Sequence, residues 1–455
     1  MLDRLFALRE RNTTVKTELI AGLTTFVTMA YILFLAPNIL GIAGMSKDAV
    51  LIATSLGAGL VTIGMGLFVN YPICLAPGVG LLSFYAFTVV LGEGVSWQTA
   101  LGAVFISGLV FLVLTLTRIR QLIVEGIPAS MKVAITVGIG LFICIIGLKL
   151  SGIMAINLTL TPESIATALA HNGHVTPTAT EALIGMGDLH NPGVLLSLFG
   201  LVFSAVLMAR NVTGSLIIGV IVTSILSYLV GYSKMPDNFT FMAIPDFSKA
   251  AFFQLDIGGA LSMGLATIIF SFTFVELFDS MGTLIGTATK AGIADPKKGS
   301  FPGLGKAMTV DAIGVSLGSV LGTSTITAFV ESTAGVGAGG RTGLTAVACG
   351  ILFLLSMFFA PLITLVPGCA TAPVLILVGA LMLEPIKDIN FQDWTEGFPA
   401  FMVIVLMPFT YSIANGISAG FILYPLLKIV TGRYKEVSAI VYILAVLVLV
   451  RYIWF

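Results

Sequence analysis

The chain has 455 residues, 57% hydrophobic and only 10% charged, with 22 basic and 22 acidic side chains. Soluble domains carry about 25% charged residues, so a surface this poor in charge faces lipid and not water. The even charge balance excludes the basic excess of a nucleic-acid binder. Cys74, Cys144, Cys349 and Cys369 lie in apolar stretches without metal-ligand spacing and read as packing residues, so neither a metal nor a cofactor is implied.

The N-terminal stretch MLDRLFALRERNTTVK is charged and amphipathic. It reads as a short interfacial helix, because the apolar run that follows is too long for the core of a cleavable signal. Runs able to cross about 30 Å of hydrocarbon recur at 18–43, 48–70, 75–92, 97–117, 129–150, 193–209, 212–231, 257–289, 304–321, 325–339, 341–360, 365–384, 397–431 and 437–454. The expectation is an all-α polytopic membrane protein of about 14 spans, with 397–431 long enough for two helices broken near Asn415 and Gly416. Positive residues flank the spans unevenly. Arg4, Arg9, Arg11 and Lys16, then Arg118 and Arg120, then Arg210, then Lys290, Lys297, Lys298 and Lys306 all fall on one side. That side is the cytoplasm by the positive-inside rule, which places the N-terminus inside an inner or plasma membrane. The connection 151–192, with His171, His174 and His190, then lies outside. Lys428, Arg433 and Lys435 leave the course of the last segment open.

The two halves resemble each other in outline. Residues 193–232 and 397–432 each read as helix, polar break, helix, and the spans opening at Ile127-Pro128 and Val366-Pro367 carry Gly138 and Gly379. Each half also holds an interrupted third span, CLAPGVGLLSFYAF at 74–87 and GTSTITAFVESTAGVGAGG at 322–340. An odd number of spans per half turns the second half upside down, so the pattern predicts a seven-plus-seven inverted repeat, 1–240 and 250–455. Irregular backbone at membrane depth is tolerated where it lines a cavity or packs on protein. Pro77 suits the first turn of one half-helix, and Thr325 or Thr327 suits the cap of another beginning near Phe329. The run GVGAGG at 335–340 lacks the βαβ context of a dinucleotide site and reads as close helix packing.

Three acids lie deep in apolar sequence: Glu276 and Asp279 in TFVELFDSMGT, and Glu331 in AFVESTAG. A carboxylate at the centre of a bilayer costs about 2.5–3.5 kcal/mol on insertion scales, so each needs a partner, a ligand or a proton. Asp311, near a span end, reads as structural. No histidine or lysine shares the middle of these segments, so a coupling proton would ride on a carboxylate.

At TELIAGLTTFVTMAYILFLAPNIL, LAPGVGLLSFYAF, FDSMGTLIG with TKAGIAD, and TAFVESTAGVGAGGRTGLTAV, the chain resembles the AzgA-like purine permeases of the nucleobase–cation symporter 2 family. The similarity runs nearly end to end. It implies a core domain of spans 1–4 and 8–11 and a gate domain of spans 5–7 and 12–14. It also implies a purine base bound between spans 3, 8 and 10, with proton symport. Carried over by position, the substrate-binding acid of span 8 is Glu276, its second acid Asp279, and the span-10 acid Glu331. Where many relatives read GLNAF, this chain has Gly80-Leu81-Leu82-Ser83-Phe84, so Leu82 replaces an asparagine. Backbone at Gly78 and Gly80 and the Ser83 hydroxyl are the polar groups left in span 3, and Phe84 or Phe329 could stack on the base. The implied partners are a purine nucleobase, a proton and the lipid bilayer, with a homodimer as one candidate assembly. The rival readings are an anion carrier or channel of the same architecture and a membrane-embedded enzyme. The enzyme reading lacks a nucleophile–base set or a ligand-spaced cluster.

Overall fold

A computed structural model describes residues 2–117, 119–156, 184–236, 239–262, 266–293 and 301–454. His171, His174, Arg118, Lys297 and Lys298 lie outside the described residues. Helix dominates, because a chain in hydrocarbon must bond every backbone N–H and C=O within itself and a helix does so locally. Among the described residues, ten helices are long and apolar enough to cross a membrane.

In order, α1 (Leu2–Phe6) leads into α2 (Val15–Met29) and α3 (Ile32–Ile42), then α4 (Lys47–Phe68). Strand β1 (Leu75–Pro77) runs into the short α5 (Val79–Ser83), which continues as a π-helical stretch over Phe84–Val90. Next come α6 (Trp97–Leu116), the short α7 (Ile119–Gly126) and α8 (Ala129–Leu150). A small hairpin follows, from β2 (Met154–Ile156) to β3 (Ile184–Met186). The middle of the chain is α9 (Pro192–Ala209), α10 (Ser215–Leu229), α11 (Ile257–Ser262), α12 (Ala266–Lys290) and α13 (Leu304–Leu321). Strand β4 (Ile326–Ala328) precedes α14 (Ser332–Gly337), α15 (Gly343–Ser356), α16 (Ala360–Thr364) and α17 (Gly368–Leu381). The chain closes with α18 (Trp394–Phe409), α19 (Ile413–Val430) and α20 (Ala439–Trp454).

Local chemistry sets the ends. The hydroxyls of Thr14 and Ser96 and the carboxylate of Asp393 each accept a free first-turn backbone N–H, that of Thr17 in α2, Thr99 in α6 and Thr395 in α18. The break in 397–431 falls at Thr410–Ser412 and not at Asn415-Gly416. Tyr411 takes φ +52° there, Ser412 caps α19 through its side chain, and Asn415 and Gly416 lie inside the helix. Small residues then bring helices together. A Cβ on Gly379 would lie 2.4 Å from the Gly140 carbonyl oxygen, and one on Gly140 2.8 Å from that of Gly379, so α8 and α17 touch backbone to backbone. Helix α4 packs on α15, α6 on α13, α8 on α17 and α18, and α9 on α17.

Strands β1 and β4 pair antiparallel, Leu75 with Ala328, Ala76 with Thr327 and Pro77 with Ile326, and all six residues are buried. The ladder extends through Gly78 N–H to the Thr325 carbonyl and Phe329 N–H to the Cys74 carbonyl. On the outer side, the Leu75 N–H donates to the Thr62 hydroxyl, which donates to the Leu75 carbonyl, both at 2.9 Å. The non-helical backbone is thus satisfied by protein, as hydrocarbon demands.

Candidate functional site

The paired strands carry the deep acids on their flanks. Glu276, on α12, is fully buried. Its Oε1 accepts the Ser280 hydroxyl at 2.8 Å, one helical turn along. Its Oε2 is buried without a hydrogen-bond partner. The Ser280 and Thr327 hydroxyls lie 2.9 Å apart, and Thr327 Oγ1 lies 3.3 Å from Asp311 Oδ1. Asp311, on α13, also accepts the Ala328 N–H at 3.2 Å, which fixes the end of β4. A chain of polar atoms therefore runs from α12 across β4 to α13.

Asp279 is half-buried, and its Oδ2 lies 3.6 Å from the point where a Cβ on Gly78 would project. Gly78 thus lets an acid of α12 approach the turn after β1. Glu331 stands at the N-cap position of α14 and accepts the Tyr31 hydroxyl at 2.5 Å, which ties α14 to the break between α2 and α3. Phe84 and Phe329 are buried, and Phe84 meets Phe272 edge-on with ring centres 5.0 Å apart. The Ser83, Ser324 and Thr325 hydroxyls are buried without partners. Such orphans are costly in a finished core. Leu82 is fully buried. Gly80 is tight against α8, since a Cβ there would lie 2.7 Å from Ile139 Cγ2.

Two local expectations shift. Pro77 ends β1, and the helix starts two residues later at Val79 with Gly78 at its N-cap. Thr327 caps nothing: it belongs to β4 and points to Ser280 and Asp311, while α14 begins at Ser332. The strand ladder uses the backbone that a helix start there would need.

Sequence reasoning missed Arg120 as a buried partner of Asp311. Arg120, on α7, is fully buried, with Nη2 3.7 Å from Asp311 Oδ2 and the guanidinium 4.1 Å from the centre of the Phe111 ring. By sequence it is indistinguishable from a positive residue at a span end. Among the described residues no group of three or more His, Cys, Asp or Glu is placed to hold a metal ion. A cavity of about 300 Å³ opens between α3, α8 and α17, lined by Asn38, Lys47 and Thr371, and none of the acids borders it.

Known proteins share both sequence and shape. The family model Xan_ur_permease, described as "Permease family", matches residues 16–171 and 151–419. The chain is 43% identical over 457 residues to the adenine permease AdeP of Escherichia coli, covering 100% of this chain and 96% of that one. It is 41% identical over 455 residues to the guanine/hypoxanthine permease PbuO of Bacillus subtilis, covering 98% and 99%. Its fold is similar to the transmembrane domain of a cyanobacterium bicarbonate transporter, BicA, with a TM-score of 0.63 at 16% identity, covering 89% of this chain and 96% of that one. Spanning helices, buried acids beside paired strands and full-length kinship converge: the chain belongs to the Xan_ur_permease permease family, a multi-pass membrane transporter and not an enzyme.

Proposed function

We propose that the protein imports purine nucleobases by proton symport and alternating access. One observation carries the reading: the buried Glu276 carboxylate keeps an oxygen without a partner beside the paired strands. A purine edge presents adjacent N–H donors, and a carboxylate accepts them well. The relatives named adenine permease and guanine/hypoxanthine permease support the same substrate class. Glu276 and Glu331 hold the base, with Gly78, Gly80 and Ser83 offering polar backbone or hydroxyl groups and Phe84 or Phe329 a ring face. Asp279 or Glu276 carries the proton.

The fourteen-span, seven-plus-seven arrangement belongs to this proposal, with the N-terminus cytoplasmic. It is supported by the packing partners. Exchanging the halves maps the α4–α15 contact onto α13–α6, and the α8–α18 contact onto α17–α9. Spans 1–4 and 8–11 then form the core, and spans 5–7 and 12–14 the gate.

The likeness to an anion carrier concerns fold alone. Glu276, Asp279, Asp311 and Glu331 make the surroundings of the strands acidic, which disfavours an anion. Uptake of radiolabelled adenine, guanine, hypoxanthine and uracil into cells or proteoliposomes, with and without a proton gradient, tests the proposal. The expected result is gradient-dependent uptake of at least one purine. Uptake of no purine, or purine uptake indifferent to the gradient, refutes the corresponding half of the reading.

A further inference from the structure

Glu276, Ser280, Thr327, Asp311 and Arg120 form one continuous polar line from α12 through β4 and α13 to α7. The two hydroxyls in it bring one proton each, yet there are three contacts to serve. With both carboxyls ionised, Ser280 donates to Glu276 at 2.8 Å, and the single Thr327 proton goes to the shorter of its two contacts, Ser280 at 2.9 Å and not Asp311 at 3.3 Å. The 3.3 Å contact between Thr327 and Asp311 then holds no proton. With a proton on Glu276, that carboxyl donates to Ser280, Ser280 to Thr327, and Thr327 to Asp311. Three protons now serve three contacts. Apart from the proton arriving on Glu276, no O–H bond forms or breaks, because the hydroxyls only rotate.

The far end of the line is built to respond. Asp311 Oδ1 accepts Ala328 N–H, and Oδ2 faces Arg120 at 3.7 Å. That distance is an ion pair and not a hydrogen bond. Arg120 Nε and Nη2 and Asp311 Oδ2 are buried without hydrogen-bond partners. Charge therefore holds the guanidinium, with the Phe111 ring beneath it and Thr115 Oγ1 3.4 Å from Nη1. When Thr327 turns its proton to Asp311, that bond takes up part of the carboxylate's charge and the pull on Arg120 weakens. When Thr327 turns away, the full charge is left to Arg120. Helix α7 touches α6, α12 and α20, and joins the fourth span to the fifth.

We infer that Ser280, Thr327 and Asp311 are a hydrogen-bond relay that reports the charge of Glu276 to Arg120, and that Arg120 positions α7 accordingly. None of these four touches the substrate in this scheme; all act through Glu276. The inference rests on the transport reading and deepens it, because it says how a proton at the binding site reaches the segment joining the two groups of spans.

Thr327→Val removes the hydroxyl and keeps the shape. At wild-type abundance in the membrane it is expected to lower the maximal purine uptake rate tenfold or more with KM within twofold. Thr327→Ser is expected to retain at least one third of the wild-type rate. A Thr327→Val rate within twofold of wild type, or a Thr327→Ser as defective as Thr327→Val, overturns the relay. Ser280→Ala cuts the line one link earlier and is held to the same thresholds, so the test is decided even if Thr327→Val is not inserted. A second readout needs no transport. Melting temperatures of purified Glu276→Gln, Arg120→Gln and the double variant are expected to be non-additive, with the coupling at least halved in a Thr327→Val background. Equal coupling in both backgrounds overturns the relay whatever the chain carries. Relay-dependent coupling in a protein that takes up no purine overturns the transport reading alone.

Discussion

Replacing Glu276 by glutamine tests its proposed binding role directly. Ser280 donates to Oε1, and the variant that keeps this bond puts the amide oxygen in that place. The amide nitrogen then occupies the position of Oε2, which has no partner in the protein. A substrate N–H that met a carboxylate would meet another donor. Losing a hydrogen bond to a charged group costs about 1.5–3 kcal/mol, and leaving a buried donor unpaired costs about 1–3 kcal/mol more. The two overlap because the site can relax, so the expected loss is about 2–4 kcal/mol. That is a rise in Kd of about 30-fold to several hundred-fold, at about 1.4 kcal/mol per decade. The volume is unchanged and the Ser280 contact is kept, so folding should survive. Calorimetric titration of the purified variant with adenine and hypoxanthine measures the effect. Binding within threefold of wild type, in a protein that elutes and melts normally, would refute the assignment of Glu276 to the substrate.

Other expectations are quicker to state. Glu331→Gln should depress purine uptake strongly, and Tyr31→Phe, which removes one donor to that carboxyl, should raise KM by about 3–10-fold for a bond worth about 1 kcal/mol. Normal uptake and affinity in Glu331→Gln would remove Glu331 from the site. Gly379→Ala places a methyl group against the Gly140 carbonyl, an overpacking cost of about 1–3 kcal/mol, so its melting temperature should fall by several degrees; an unchanged melting curve would show that α8 and α17 are not in backbone contact. Outside the spans, the Thr395 hydroxyl and Arg433 pull Asp393 down to about 2, and Arg433 and Lys428 pull Glu436 down to about 2. Both are depressed, so their contribution is present above the ordinary carboxylate range near pH ~4 and is lost as pH falls toward 2. Melting temperature should therefore decline through that interval, and Arg433→Met should flatten the decline.

Much of this was readable from residue order, for physical reasons. Apolar runs reported the spans because hydrocarbon admits no other surface. The acids stood out because ionised groups are expensive there. Proline and glycine at 77–80 and the Ser/Thr run at 323–327 marked where helix gives way. What the breaks become was less visible: residues far apart in sequence pair as strands, and local capping rules describe helix ends, not ladders. Thr327, one of two residues expected to cap a helix, therefore serves Ser280 and Asp311 instead. The break at Tyr411 rests on a positive φ at a residue with no turn signature, while the nearby Asn-Gly pair, a common turn signal, stays helical. Arg120 was invisible as a buried group because its meaning depends on Asp311, which lies on a helix about 190 residues away.

The β1–β4 ladder has a consequence for how the protein is made. Pro77 leaves the ribosome about 250 residues before its partner Ile326. Until then the edge of β1 that pairs with β4 is unpaired backbone at membrane depth, where orphaned N–H and C=O groups are costly. Contacts this distant in sequence form late, because the loop must close before any bond rewards it. The ladder beside the candidate site thus forms only after residue 326 has been made. A chain truncated before residue 326 should be inserted but recognised as unfinished, and a separately expressed second half that supplies β4 should rescue it.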